Sequence, residues 1–144
     1  MAFLIDITDK KFKIPANRVI IEFIRDANPF AHSDVGSKLI AVGKAIAGAK
    51  TYCPNFRECA YVVLHDNADV IFAIAFGMYS IGLLLPPGAA AEVRNNSAPG
   101  AAIGNDWLSI DLFDQRRSVT IEALSRWSAA ACQFAQQRGA GPPA

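Results

Sequence analysis

Residues 59–85 read CAYVVLHDNADVIFAIAFGMYSIGLLL, and this stretch decides the fold. It holds three apolar runs, 59–65, 70–76 and 79–85. Asp66, Asn67 and Asp69 make the first interval a polar turn, and Gly77-Met78 supplies a tight second one. Three strands joined by two short turns must pair antiparallel, because parallel pairing needs a long crossover. In the middle run Phe72, Ile74 and Phe76 share one face and Ile71, Ala73 and Ala75 the other. Both faces are apolar, so this strand is central and covered on both sides, by helices or by a partner subunit.

Outward from the hairpins the periodicity changes to helical. Asn17 is placed to cap a helix over 18–27, where Val19, Ile20, Phe23 and Ile24 recur at helical spacing before Asn28-Pro29 stops it. Ser33 or Asp34 caps a second helix to about 49 with Val35, Leu39, Val42 and Ile46 on one face. Gly36, Gly43 and Gly48 each weaken that helix by about 0.8–1 kcal/mol relative to Ala, and let a neighbour come close. Pro54 and Asn55 mark a loop before the sheet.

Further upstream Phe3, Ile5 and Ile7, a turn at Thr8-Asp9-Lys10, then Phe12 and Ile14 suggest a small N-terminal hairpin. Downstream, Pro86-Pro87 opens a short helix that Asn95 and Asn96 close, and residues 97–105 form a loop. Trp107, Ser109, Asp111 and Phe113 alternate with Leu108, Ile110 and Leu112 as a fourth strand of the main sheet. Ser118 caps a last helix whose stripe is Ile121, Leu124, Trp127, Ala131 and Phe134, ending near 137. The expected architecture is one α+β domain with a mainly antiparallel sheet covered by helices. Residues 1–55 hold the hairpin and two helices, 56–137 the core, and 138–144 a disordered tail.

The 144 residues suffice for one core, and 52% are apolar while only 19% are charged. That balance leaves apolar surface for a homodimer contact. The net charge of +1 argues against a protein built around a phosphate backbone. The charge is uneven, however: residues 1–57 hold nine bases against five acids, the remainder five against eight. Nucleic-acid binding would therefore use Lys10, Lys11 and Lys13 on the hairpin with Arg18 and Arg25 on the first helix. Three cysteines and no basic leader point to a reducing cytoplasm. The stretch 70–87 is interrupted by Gly77, Ser80, Gly82 and two prolines, so no membrane span is expected.

Chemistry-bearing patterns are sparse. Cys53, Cys59 and His65 stand six apart, a zinc-ligand chemistry without a C-x-x-C pair or a fourth ligand. Cys59 and His65 would lie about 20 Å apart on one strand at ~3.3 Å per residue. No metal and no cofactor are expected. His65, Asp66 and Asp69 cluster at a hairpin tip, where they serve either proton transfer or the turn's own backbone. Residues 100–104 match no phosphate-binding or dinucleotide glycine pattern, and no serine sits in a nucleophile elbow. Asp111 needs a partner such as Arg116, Arg117 or Arg126 if its face is covered, and none if that face is the wet side of an edge strand.

The segment FAIAFGMYSIGLLLPPGAAAEV at 72–93, then Asp106-Trp107-Leu108-Ser109-Ile110 and the final helix, resembles the MmcQ/YjbR-like group of small α+β proteins. It is similar also to the related luciferase-domain family. The likeness covers roughly residues 56–137 and implies a fold described as DNA-binding-like. The matching part is the acidic part of the chain, with Ile, Ala and Gly near the hairpins where that role uses basic and aromatic residues.

The residues together favour a non-enzymatic, homodimeric binding protein. Its apolar groove would be lined by Tyr61, Phe72, Tyr79, Trp107 and Trp127, with Asp111 at its side, and would take a small apolar ligand. The alternatives are nucleic-acid binding through the basic N-terminal half, and a small hydrolase or isomerase using His65 with Asp66 or Asp69.

Overall fold

The structure, a computed structural model, describes residues 12–27, 29–53, 61–100, 102–112 and 119–140. The three apolar runs are β2 (Val62–His65), β3 (Ile71–Phe76) and β4 (Ser80–Leu84). With β1 (Lys50–Tyr52), β5 (Ala98–Pro99) and β6 (Trp107–Asp111) they form one sheet in the order β1-β2-β3-β4-β6-β5, antiparallel throughout. Every residue of β3 is buried. The α+β architecture and the antiparallel sheet are those the alternation predicts.

Register assigns the two faces. Val62 pairs Ala75, Leu64 pairs Ala73, and Ala73 and Ala75 pair Leu83 and Ile81, so these side chains share one face. Helix α2 (Ser33–Lys44) lies on it, with Gly36 over Val62 and Gly43 over Leu64. A Cβ on Gly43 would stand 2.6 Å from Leu64 Cδ2, which is the close approach its lack of a side chain allows. Helix α4 (Ile121–Ala140) packs beside α2 and against β3 and β4. The opposite face carries Val63, Ile74, Phe76, Gly82 and Trp107. It is covered by the segment from Phe12 through α1 (Arg18–Ala27): Phe12 meets the Tyr52 and His65 rings edge-on, and Phe23 meets Phe76. A bulge between Leu64/His65 and β3 locally increases the twist there.

Several boundaries differ from expectation. Helix α2 stops at Lys44 rather than near 49, because the chain tightens into successive turns (Ala45 N–H to Val42 O, Ile46 N–H to Gly43 O, Ala49 N–H to Ile46 O) and Gly48 takes a φ of +85°. The residues so released, Lys50–Tyr52, add a strand that three residues were too few to signal. Helix α2 is capped one residue early, with the Asp34 N–H donating to His32 Nδ1 at 3.2 Å. Helix α3 (Pro87–Asn96) opens after Pro86 as expected, but the loop behind it contributes the short β5. Thr120 Oγ1 accepts the Ala123 N–H at the start of α4, and the expected cap Ser118 lies outside the described residues. Helix α4 runs through Ala140, past the expected end near 137 and into the stretch read as a tail. Phe12 and Ile14 belong to no strand, and the rest of the N-terminal hairpin lies outside the described residues.

Asn17 departs most from its expected role. It is completely buried and caps nothing with its side chain. Its Nδ2 donates to Phe12 O at 3.0 Å and to Asp69 O at 2.8 Å, while its Oδ1 accepts the Ile71 N–H at 2.8 Å. One carboxamide thus ties the start of α1 to the β2–β3 turn and the head of β3.

Candidate functional site

Antiparallel pairing of β4 with β6 sets Leu84 beside Trp107, and the loop ahead of β6 folds back over the sheet. Among the described residues these hydrogen bonds hold that loop. Gly100 N–H donates to Ser109 O (2.9 Å), Trp107 N–H to Gly104 O (3.2 Å), Leu85 N–H to Asp106 O (2.8 Å), and Arg138 Nη1 to Asp106 Oδ2 (2.8 Å). Asp106 takes a φ of +64° to make the turn into the strand. Gly104 rests on Val19 of α1, where a Cβ would collide with Cγ1. Ile103 lies over Gly82, where a Cβ would collide with its Cδ1 and stand 3.1 Å from Ile74 Cγ2 and 3.7 Å from Trp107 Cε3.

Among the described residues three hollows adjoin this loop. A groove of about 670 Å³ separates it from α1 and is lined by Val19, Glu22, Phe23, Asp26, Ile103 and Asn105 among others. A mainly apolar hollow of about 400 Å³ lies between the loop and β6, against Trp107, Leu108 and Ser109. A third, of about 320 Å³ and more polar, faces α3 at Pro87, Ala90 and Arg94 and again includes Trp107. All three are open to solvent; the groove beside α1 is lined about equally by polar and apolar groups, the hollow beside β6 mainly by apolar ones and the third mainly by polar ones. None of the linings pairs a nucleophile with a base in a way that would suggest group transfer.

Of the expected pocket residues, Trp107 lines two of these three hollows while 8% exposed, and the others line none of the three. Tyr61, Phe72 and Trp127 are core side chains. Trp127 rides on α4, whose packing with α2 puts it across the sheet from Trp107. Tyr79 and Asp111 are half-buried at the opposite end of the sheet, where Ser80 pairs Asp111 and Leu112 N–H donates to Tyr79 O at 2.9 Å. The sheet separates Trp127 from Trp107, Phe72 lies on the Trp107 side but within the core, and Tyr79 sits at the far end, so the five aromatics do not share one groove. Asp111 is on no edge, since β6 lies between β4 and β5.

At the β2–β3 turn His65 and Asp66 are buried. Asp66 Oδ1 accepts the Ala68 and Val70 N–H groups, both at 2.9 Å, and its carbonyl lies 2.9 Å from His65 Nδ1. Asp69 takes a φ of +64° and brings Oδ1 to 3.7 Å from the same nitrogen. With His65 under the Phe12 ring, the Asp66 carboxylate serves the backbone of the turn. Cys132 on α4 is buried, and burial, with the Asp66 charge adding, pushes its thiol above the ordinary value, so it is a poor nucleophile near neutrality. Cys53 is half-buried, Cys59 lies outside the described residues, and no metal-competent group of three forms among the described residues.

Of the basic candidates, Lys10 and Lys11 lie outside the described residues, and Lys13, Arg18 and Arg25 are exposed. Arg18 Nε meets Glu22 Oε1 at 3.3 Å, and Asp26 follows Arg25, so the outer side of α1 alternates in sign. Among the described residues no helix is long and apolar enough to cross a membrane.

Sequence reasoning missed Gly82, Ile103 and Gly104. An isolated glycine in a strand often marks a close approach by another group, and the lone Ile in a Gly- and Ala-rich loop was the matching signal. No family model, no curated protein and no solved structure matches the chain.

Proposed function

We propose that this chain is a non-catalytic binding protein whose working surface is the group of hollows around residues 102–108. The observation that carries it is one loop bordering three hollows, with Trp107 shared by two of them. The ligand is a small molecule with an apolar part, which Val19, Phe23, Trp107 and Leu108 would face. Polar groups at the rim, Glu22, Asp26, Asn105 and Arg94, orient it. The test is a titration with the apolar dye 8-anilinonaphthalene-1-sulfonate, following dye emission and tryptophan quenching. Saturable binding that weakens at least fivefold in Trp107→Ala but not in Phe30→Ala supports the site. Absence of saturable binding, or equal binding by Trp107→Ala, removes it.

The same reading includes a homodimer, for a separate reason. The exposed large apolar side chains among the described residues are Phe30 (56%), Met78 (48%) and Ile121 (51%). The Gly77 N–H donates to Phe30 O, which sets Phe30 beside the turn that carries Met78. Arg138 at the far end of α4 reaches Asp106, and a 20-residue helix spans about 30 Å. Ile121, at the first turn of α4, therefore belongs to the Met78 end of the sheet. Apolar exposure gathered at one end is the pattern of a contact surface.

A further inference from the structure

We infer that Ile103 occupies the place of the ligand's own aliphatic group, in a socket floored by Gly82, and that binding displaces it. The inference rests on the binding reading above and names the ligand's chemical class. Gly82 lies in the middle of β4, between Ile74 on β3 and Ser109 on β6. Glycine weakens a strand interior, and a Cβ at this position would collide with Ile103 Cδ1. The vacancy left by the missing side chain is filled by a branched four-carbon group bounded by Ile74 and Trp107. That occupant reports the shape and polarity the socket accepts.

Two further features make the occupant exchangeable. Ile103 is only half-buried and borders hollows on both of its sides, about 670 Å³ toward α1 and about 400 Å³ toward β6. Its side chain can thus leave the socket without displacing a core element. Gly100 N–H donates to Ser109 O and Gly104 O accepts the Trp107 N–H, so the backbone on either side of Ile103 is tied to β6 independently of its side chain. The ligand is accordingly a molecule with a short branched aliphatic group, which enters the socket, and a polar end that stays at the Asn105 and Asp26 rim. Displacement of an internal group subtracts from the apparent affinity, so removing that group should raise it.

The experiment is a titration of the full chain with 3-methylbutan-1-ol, followed by the amide resonances of Gly82, Gly100 and Gly104 in two-dimensional nitrogen–proton spectra. Ile103→Ala is expected to bind the alcohol at least tenfold more tightly than the unaltered chain. Gly82→Ala, which fills the floor, is expected to bind at least tenfold more weakly. Ile103→Val is the milder variant should the alanine form lose its dispersed spectrum, and a two- to threefold tightening is expected. No tightening in the folded Ile103 variant, or undiminished binding by Gly82→Ala, overturns the inference. If dye binding at Trp107 survives that result, the binding reading stands without the socket; if dye binding is absent too, both fall.

Discussion

The buried carboxamide of Asn17 accepts the backbone N–H of Ile71 at 2.8 Å, joining positions 54 residues apart in the chain. The same group donates to the carbonyls of Phe12 and Asp69. Because a cap position accepts Asn and Asp about equally, Asn17→Asp separates the two roles. A carboxylate in place of the amide would face two carbonyl oxygens with no proton to give. Asn17→Asp is expected to lose at least about 3 kcal/mol, comparable to Asn17→Ala, since each buried backbone group left unpaired costs about 1–3 kcal/mol. Urea unfolding that finds Asn17→Asp within about 0.5 kcal/mol of the unaltered chain would mean the stitch contributes little.

Ser128 presents the opposite case. Its hydroxyl and the neighbouring Trp127 Nε1 are buried with no hydrogen-bond partner among the described residues. Ser128→Ala removes an unsatisfied polar atom and raises helix propensity, so it is expected to stabilise by about 1 kcal/mol. A rise of a few degrees in the thermal midpoint is the observation sought; a fall would reveal a polar partner that these two groups serve.

Cys132 gives a pH dependence whose sign follows from burial. Its thiol is held above the ordinary value of 9.0 in the folded chain, by burial first and by Asp66 second. Below pH 9 both folded and unfolded forms keep the proton and stability is unaffected. Above it the unfolded chain releases the proton while the folded chain retains it, so stability falls as pH rises from about 9 through the folded-state value. Cys132→Ala should show a shallower decline in stability between pH 9 and 10.5, and the native thiol should react slowly with 5,5′-dithiobis(2-nitrobenzoate) at pH 8. Rapid labelling of Cys132 under native conditions would contradict its burial.

Phe30 and Met78 test the proposed contact between copies. Phe30→Glu with Met78→Lys leaves the buried core untouched, since both side chains are about half exposed. Sedimentation equilibrium should find a dimer for the unaltered chain at tens of micromolar and a monomer for the double variant with unchanged circular dichroism. A monomer in both cases removes the dimer from the reading, and dye binding at Trp107 would be unaffected.

What the sequence made legible was the hairpin block. Alternation within 59–85, with Asp66, Asn67 and Gly77 at the turns, is local information, and β2, β3 and β4 follow it within a few residues. The Trp107–Asp111 strand was legible for the same reason. Tertiary facts were not. Alternation says that Trp107 and Leu108 point apart, but not which helix covers which side, so Trp107 and Trp127 looked like neighbours although the sheet separates them. Asn17 carried a capping signal because its partner at Ile71 is invisible to any local window. Residues 102–106 carried no motif, and the contacts of Ile103 with Gly82 and of Gly104 with Val19 are tertiary.

The order of the sheet has a last consequence. Its two outermost strands are its shortest, three residues in β1 and two in β5, and Pro99 in β5 offers no amide proton. Among the described residues the rim therefore gives an incoming backbone little to zip onto, although the strands in the sheet's middle are apolar on both faces. Recruitment of further copies strand by strand is discouraged at that rim.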